Sequence, residues 1–213
     1  KKKIITDIDL LYLCNKDFKS IVVTGTNGKS TTCKIIAHLL KKNKFKVKIG
    51  GNIGTPILNF DVKKHVFFVI EASSFQLSHS KFIHPNYAIL LNITNDHIDW
   101  HGSKKNYIKS KSKIFKLQTI NDFALIYNNF KKNYKKQKYL GKLILTNFKN
   151  YKKIKSKINN DYLKSSSNDE NMNFVYSLSK LFNISDRSFT KSMNSFVGLP
   201  HRYEIFLKKK NIL

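Results

Sequence analysis

Ile21-Val-Val-Thr-Gly-Thr-Asn-Gly-Lys-Ser-Thr-Thr32 confines this chain to few folds. An apolar run breaks into a glycine-bracketed turn, then resumes as a lysine and hydroxyls opening an amphipathic stretch. Strand, tight turn and helix in that order make an anion cradle, because the turn's N–H groups and the helix N-terminus converge on one point. Gly25 and Gly28 let the backbone close around the anion, with Thr26 and Asn27 between them. Lys29 reaches the outer phosphates of a nucleotide, and Ser30 or Thr31 offers a hydroxyl to magnesium. The spacing Gly-x-x-Gly-Lys-Ser is shorter than the usual Walker A pattern, which narrows the class. A chance turn explains the glycines, but not the strand before them and the Gly-Lys-Ser-Thr corner after them.

Length and composition bound what surrounds the loop. A chain of 213 residues with 41% hydrophobic content can bury one substantial core, so one domain plus an appendage is expected. No run approaches the ~20 apolar residues of a membrane span, and the lysine-rich start lacks a signal-peptide core. A cytoplasmic chain is expected. Cys14 and Cys33 match neither a metal-ligand spacing nor a disulfide framework, and read as reduced thiols. The net charge of +27 raises nucleic acid as a partner. The charge is almost all scattered lysine, however, and Arg187 and Arg202 are the only arginines. Phosphate and base readers lean on arginine forks, so no specific nucleic acid is expected. Lys131-Lys132 and Lys135-Lys136 read as an exposed connection, and Ser165 to Ser167 as a small-residue linker.

Apolar runs at Ile21–Val23, Phe45–Ile49, Val66–Ile70, Tyr87–Ile93, Phe123–Tyr127 and Leu143–Leu145 read as buried strands. Helical stretches lie at Lys29–Lys42, Lys104–Lys116, Asn168–Phe182 and Asp186–Phe196. Alternation of this kind predicts an α/β fold, a P-loop-type, mostly parallel sheet with helices on both faces. Ligands in such sheets bind at the carboxyl ends of the strands. The loop after Val23, Glu71 after Ile70, and Asn95-Asp96-His97 after Ile93 all fall there.

Glu71 ends an apolar strand, where a carboxylate needs a partner. It can sit opposite Ser30 as a magnesium ligand, or be a hydrogen-bonded strand-end residue. His97, beside Asp96, points to metal or substrate binding; His101 and Asp99 read as loop residues, and His38, His65, His79 and His84 as surface or packing residues. Helical spacing puts Tyr107, Lys111 and Ile114 on one buried stripe, with Lys109 and Lys113 facing away. A lysine on that stripe must snorkel, pair, lose its proton or be modified, for example as a carbamate.

Gly25-Thr-Asn-Gly-Lys-Ser-Thr31, Gly50-Gly-Asn-Ile-Gly54, Glu71-Ala-Ser-Ser-Phe-Gln-Leu77, Asn95-Asp-His-Ile-Asp-Trp-His-Gly102 and Gly198-Leu-Pro-His-Arg-Tyr-Glu204, taken together and in order, resemble the Mur ligases. The second, third and last strings resemble the D-glutamate-adding branch more than the diaminopimelate-, lysine-adding or folylpolyglutamate relatives. The resemblance implies an ATP-dependent amide-forming ligase of peptidoglycan precursor synthesis, acting on UDP-N-acetylmuramoyl-L-alanine and D-glutamate through an acyl phosphate. It implies ATP on residues 25–31, with Asn168 and Asn171 near the adenine and Arg202 approaching the nucleotide. It also implies two magnesium ions, one on Ser30 and Glu71, the other on His97 and a carbamylated Lys111. Asn52, Ser73 and His97 are the implied substrate contacts. Ser165 and Ser167 replace the glycine and histidine that usually precede the asparagine pair.

Members of the family have three domains, of which this chain resembles the central one. Residues 1–198 are expected to be the ATP-binding domain with a short connector, and 199–213 the start of a truncated C-terminal domain. A monomeric fragment lacking full activity is the expectation. The competing class is a lysine-rich nucleic-acid-binding P-loop protein, distinguished by salt-dependent, ATP-insensitive binding.

Overall fold

A strand buried on both faces must lie inside a sheet with helices on either side. In β1 (Lys19–Thr24) every residue after Lys19 is buried. Ile21 and Val23 enter one core and Val22 the other. The computed structural model describes residues 4–15 and 18–199. Its other strands are β2 (Lys46–Gly51), β3 (Val66–Glu71), β4 (Tyr87–Leu90), β5 (Phe123–Tyr127) and β6 (Lys142–Thr146). They form a six-stranded sheet in the order β2-β3-β1-β4-β5-β6, every pairing parallel.

The helices are α1 (Asp7–Cys14), α2 (Lys29–Lys42), α3 (Ser74–His79), α4 (Ile98–His101), α5 (Lys104–Ser112), α6 (Lys131–Lys136), α7 (Phe148–Lys155), α8 (Asp161–Lys164), α9 (Asp169–Leu181) and α10 (Asp186–Asn194). Residues of α2, α7, α9 and α10 pack with Ile21, Val23, Val69, Ile89 and Leu125 in one core. Residues of α1, α3 and α6 pack with Val22, Phe68, Ile70, Ala88 and Ile126 in the other. The expected α/β sandwich is therefore the fold.

Two local expectations are corrected. Lys131–Lys136 is a helix rather than an open connection. Tyr134 anchors it, 3% exposed, with its hydroxyl donating to the Gly141 carbonyl at 2.8 Å. Residues 165–167 are likewise no slack linker: Ser166–Asn168 is a 3-10 turn running straight into α9.

Strand order decides where a ligand can go. The chain leaves β1 for β2 on one side and leaves β4 for β5 on the other, so their following loops part and open a crevice. Pro200 to Leu213, including Arg202 and nearly all of the expected second unit, lie outside the described residues. Among the described residues no helix is long and apolar enough to cross a membrane.

The N-terminal segment is tied to this frame by Asp9. Thr6 and Asp9 cap α1 reciprocally. The buried Asp9 carboxylate also accepts from Ser80 Oγ at 2.6 Å, from Lys81 N at 2.9 Å and from Phe82 N at 2.8 Å. Burial alone would raise its pKa; these hydrogen bonds outweigh burial and hold it below the ordinary carboxylate value. Asp9→Ala is expected to cost about 2–4 kcal/mol in urea unfolding, since it strands several buried donors. Asp9's depressed pKa makes its stabilisation complete above the unfolded carboxylate range and lost as pH falls through the folded value. The variant's stability should accordingly fall less steeply with acid than that of the parent chain.

Candidate functional site

The loop between β1 and α2 is shaped by two close approaches. A Cβ on Gly25 would lie 2.9 Å from Leu91 Cβ. Gly28, with φ +81°, opens α2, and a Cβ there would lie 2.1 Å from Asn171 Oδ1. Both positions exclude side chains because the segment just after β4 and helix α9 press against the loop. Thr32 Oγ1 donates to Asn171 Oδ1 at 3.2 Å, and Asn171 Nδ2 to Asn168 Oδ1 at 3.2 Å. Both asparagines expected near an adenine are thus buried and engaged with protein partners, Asn171 directly against the loop.

Two ammonium groups meet at the end of β1. Lys29 Nζ donates to the carbonyls of Gly25 at 3.0 Å and Thr26 at 2.7 Å. Lys111 Nζ, 2% exposed, donates to the same Gly25 carbonyl at 2.7 Å and lies 4.6 Å from the Tyr107 ring centroid. Burial, reinforced by the charge of Lys29, brings Lys111 down to a pKa of about 7. Lys111 therefore does not snorkel; it is buried beside the loop with an amine that is partly neutral near pH 7. Tyr107, also fully buried, pairs its hydroxyl with Thr26 Oγ1 at 3.0 Å. Tyr107, Lys111 and Ile114 do share a buried stripe and Lys109 is exposed. Lys113 is corrected: it turns inward, donating to the Ser78 and Ser80 carbonyls at the end of α3, because those C-terminal carbonyls need donors.

Glu71 is 2% exposed at the end of β3. Its Oε1 accepts from Asn52 Nδ2 at 3.2 Å, while Asn52 N donates to the Glu71 carbonyl at 3.0 Å. Gly51, with φ +104°, makes that approach possible, since a Cβ would lie 2.3 Å from the Glu71 carbonyl oxygen. Glu71 Oε2 is buried and has no hydrogen-bond partner among the described residues. His97, left-handed at φ +50°, precedes α4, with its Nε2 3.4 Å from Asp96 Oδ2 and its ring 4.8 Å from Phe75. His101 is buried, and burial together with the charges of Lys111 and His97 lowers its pKa. Ser73 caps α3, its hydroxyl paired with Gln76. Among the described residues no three His, Cys, Asp or Glu side chains converge as a metal cage.

Sequence reading missed Asn92. Its Oδ1 accepts from Asn27 N at 2.8 Å, and its Nδ2 donates to the Asn27 carbonyl at 3.3 Å and to Glu170 Oε2 at 2.8 Å. The amide thus grips one loop peptide by both ends and ties it to α9. Its amide near the end of the apolar run Tyr87–Ile93 was the only signal; β4 ends at Leu90, so Asn92 lies in the loop that follows, where amides are common. A groove of about 830 Å³ shares none of these residues; Lys104, Lys105, Lys109, Lys132 and Lys136 line it.

Residues 23–194 match the Mur ligase middle domain. The chain is 35% identical over 231 residues to a UDP-N-acetylmuramoylalanine--D-glutamate ligase of Rickettsia felis, covering 98% of this chain and 51% of that protein. It is 31% identical over 232 residues to the enzyme of that name from Natranaerobius thermophilus, covering 95% and 50%. The chain therefore spans about half the length of the curated relatives it matches. Among solved structures it is similar to MurF ligase from Thermotoga maritima in complex with ADP, with TM-score 0.69 and 21% identity, covering 95% of this chain and 54% of that one. Acinetobacter baumannii MurF gives TM-score 0.71 at 15% identity, covering 94% and 51%. At those identities the likeness concerns the fold.

The Asn92 grip has a measurable consequence. Asn92→Ala should weaken binding of a non-hydrolysable ATP analogue about tenfold, a loss of ~1.4 kcal/mol, with the unfolding midpoint little changed. Glu170→Gln, which keeps an acceptor for Asn92, should bind like the parent chain, and Glu170→Ala should follow Asn92→Ala.

Proposed function

Because this chain belongs to the Mur ligase family, we propose that it is the ATP-binding core of the enzyme that adds D-glutamate to UDP-N-acetylmuramoyl-L-alanine. The observation that carries this reading is Lys29 on the Gly25 and Thr26 carbonyls where the β1 and β4 loops part, with Lys111 buried against the same Gly25 carbonyl. The Lys29 cation at that crevice, joined by magnesium, would answer the main physical difficulty of the reaction, which must bring a triphosphate and a carboxylate together. The names of the relatives supply the substrate class. Residues 1–198 would be the central domain and 199–213 the beginning of the next. Such precursor chemistry belongs to the cytoplasm, where Cys14 and Cys33 stay reduced.

In the proposed reaction the terminal carboxylate of the substrate attacks the γ-phosphorus. The bond to ADP breaks and an acyl phosphate forms. The amine of D-glutamate then adds to the acyl carbon, loses a proton, and phosphate leaves from the tetrahedral intermediate. Lys29, released from the Gly25 and Thr26 carbonyls, would bind the outer phosphates, while loop N–H groups and the start of α2 hold the inner ones. Asn92 keeps the Asn27 peptide in place meanwhile. Asn168, Asn171 and Arg202 would serve the nucleoside end; Asn52, Ser73 and His97 the substrate.

Magnesium fits one part of this set on a structural ground. Glu71 Oε2 is a buried carboxylate oxygen without a hydrogen-bond partner among the described residues, which a hard cation would satisfy. Ser30 and Glu71 would hold one ion; His97 and Lys111, the latter as its carbamate, would hold a second. Bound there, magnesium supplies charge neutralisation on the phosphates and the substrate carboxylate. Lys111 suits carbamate formation because its nitrogen must be neutral to attack carbon dioxide, and its pKa of about 7 makes much of it so. The N–C bond forms, the amine loses a proton, and an anionic oxygen ligand results.

Calorimetry with a non-hydrolysable ATP analogue and magnesium tests the core of the reading. Saturable, magnesium-dependent binding is expected, and Lys29→Ala should weaken it at least a hundredfold; unchanged binding in that variant overturns the loop assignment. In ¹³C-bicarbonate at pH 8, a carbamate carbon resonance is expected that Lys111→Ala lacks. Its intensity should fall as pH drops below about 7, where the Lys111 amine takes up its proton. A resonance that persists in Lys111→Ala, or none in the parent chain, removes the carbamate from the mechanism.

A further inference from the structure

Trp100 is the chain's one tryptophan, and it is 50% exposed on the single turn of α4. Three rings hold it nearly edge-on: Phe75 at 4.8 Å and 84°, His101 at 4.5 Å and 74°, and His79 at 6.0 Å and 86°. The indole is therefore restrained without being covered, so a flat partner could stack on it at little further entropic cost. The segment that carries it is also unlike the rest of the chain. In a chain with 40 lysines and arginines among 213 residues, Lys81 is the only one between Glu71 and Ser103. The polar groups on the same segment are instead Asp96 and His97, with side chains 41% and 46% exposed, and Asp99, which is exposed on α4 itself.

An aromatic plane with an imidazole and carboxylate rim suits a pyranose ring. The ring's C–H groups carry slight positive charge and sit on the negative face of an indole, while its hydroxyls meet the rim. Position agrees with chemistry, because Phe75 touches both Trp100 and the ring of His97. We propose that Trp100, propped by Phe75, is the stacking platform for the N-acetylated sugar ring of the substrate. This rests on the substrate reading above and adds a recognition site for the pyranose.

The lone tryptophan reports on itself. Its emission should shift saturably with UDP-N-acetylmuramoyl-L-alanine, and stay unchanged with UDP or with D-lactoyl-L-alanine, which lacks the sugar. By calorimetry Trp100→Leu should lose about tenfold in affinity for the sugar substrate, ~1.4 kcal/mol. Trp100→Phe should stay within threefold, and the ATP analogue should bind all three chains alike. Substrate heat without an emission change, or equal affinity in Trp100→Leu, overturns the platform and leaves the substrate reading standing. An equal emission response to UDP assigns the indole to the base and also overturns it. A chain that binds the ATP analogue but gives no heat with the sugar substrate overturns the substrate reading and the platform together.

Discussion

Everything at the crevice is organised around the Gly25 carbonyl. It accepts from Lys29 and Lys111 together, and two ammonium groups on one oxygen repel each other. The buried partner, Lys111, yields, chiefly because burial has taken its water and then because of the charge of Lys29. Lys29 is half-buried as the first residue of α2, and its long side chain can exchange the Gly25 and Thr26 carbonyls for phosphate oxygens. A strand end, a helix start and a distant helix are thereby made parts of one electrostatic object.

Packing keeps that object in register. Asn92 on one flank and Asn171 on the other close on the loop, and neither approach would survive a side chain at Gly25 or Gly28. Below it, β1 is buried on both faces. Each fully buried aliphatic side chain contributes about 1.5–3 kcal/mol, so the strand cannot slide without exposing several of them. Tyr107 ties Thr26 to α5 from the opposite layer. The loop is held by both cores, which is why a site this polar can stay ordered at the sheet edge.

How legible was this in the chain? Burial on both faces produces continuous apolar runs, and all the strands were readable from that signal. The helix Lys29–Lys42 has its bounds written into a Gly-Lys start and a Lys-Lys-Asn end. Lys131–Lys136 was misread because a short polar helix carries almost no periodic signal and depends on one buried ring, Tyr134. Lys113 was misread for a related reason: spacing along a helix says where a side chain starts, while its long stem can turn back to free carbonyls of another element. Asn92 left only its place near the end of an apolar run, a signal too common to single it out.

The sequence by itself determined the layered α/β fold, the nucleotide-type loop and its lysine, the buried stripe bearing Lys111, and the motif set of the family. These follow from local spacing and from burial periodicity, which neighbouring residues carry among themselves. Tertiary structure alone decided that Lys29 and Lys111 share one carbonyl, that Asn92 and Glu170 brace the loop, that Glu71 keeps an unpartnered buried oxygen, and that Trp100 stands half-exposed against Phe75. Those relations join residues far apart in the chain. Their energies depend on distance, dielectric and desolvation, which exist only once the two cores have closed around the sheet.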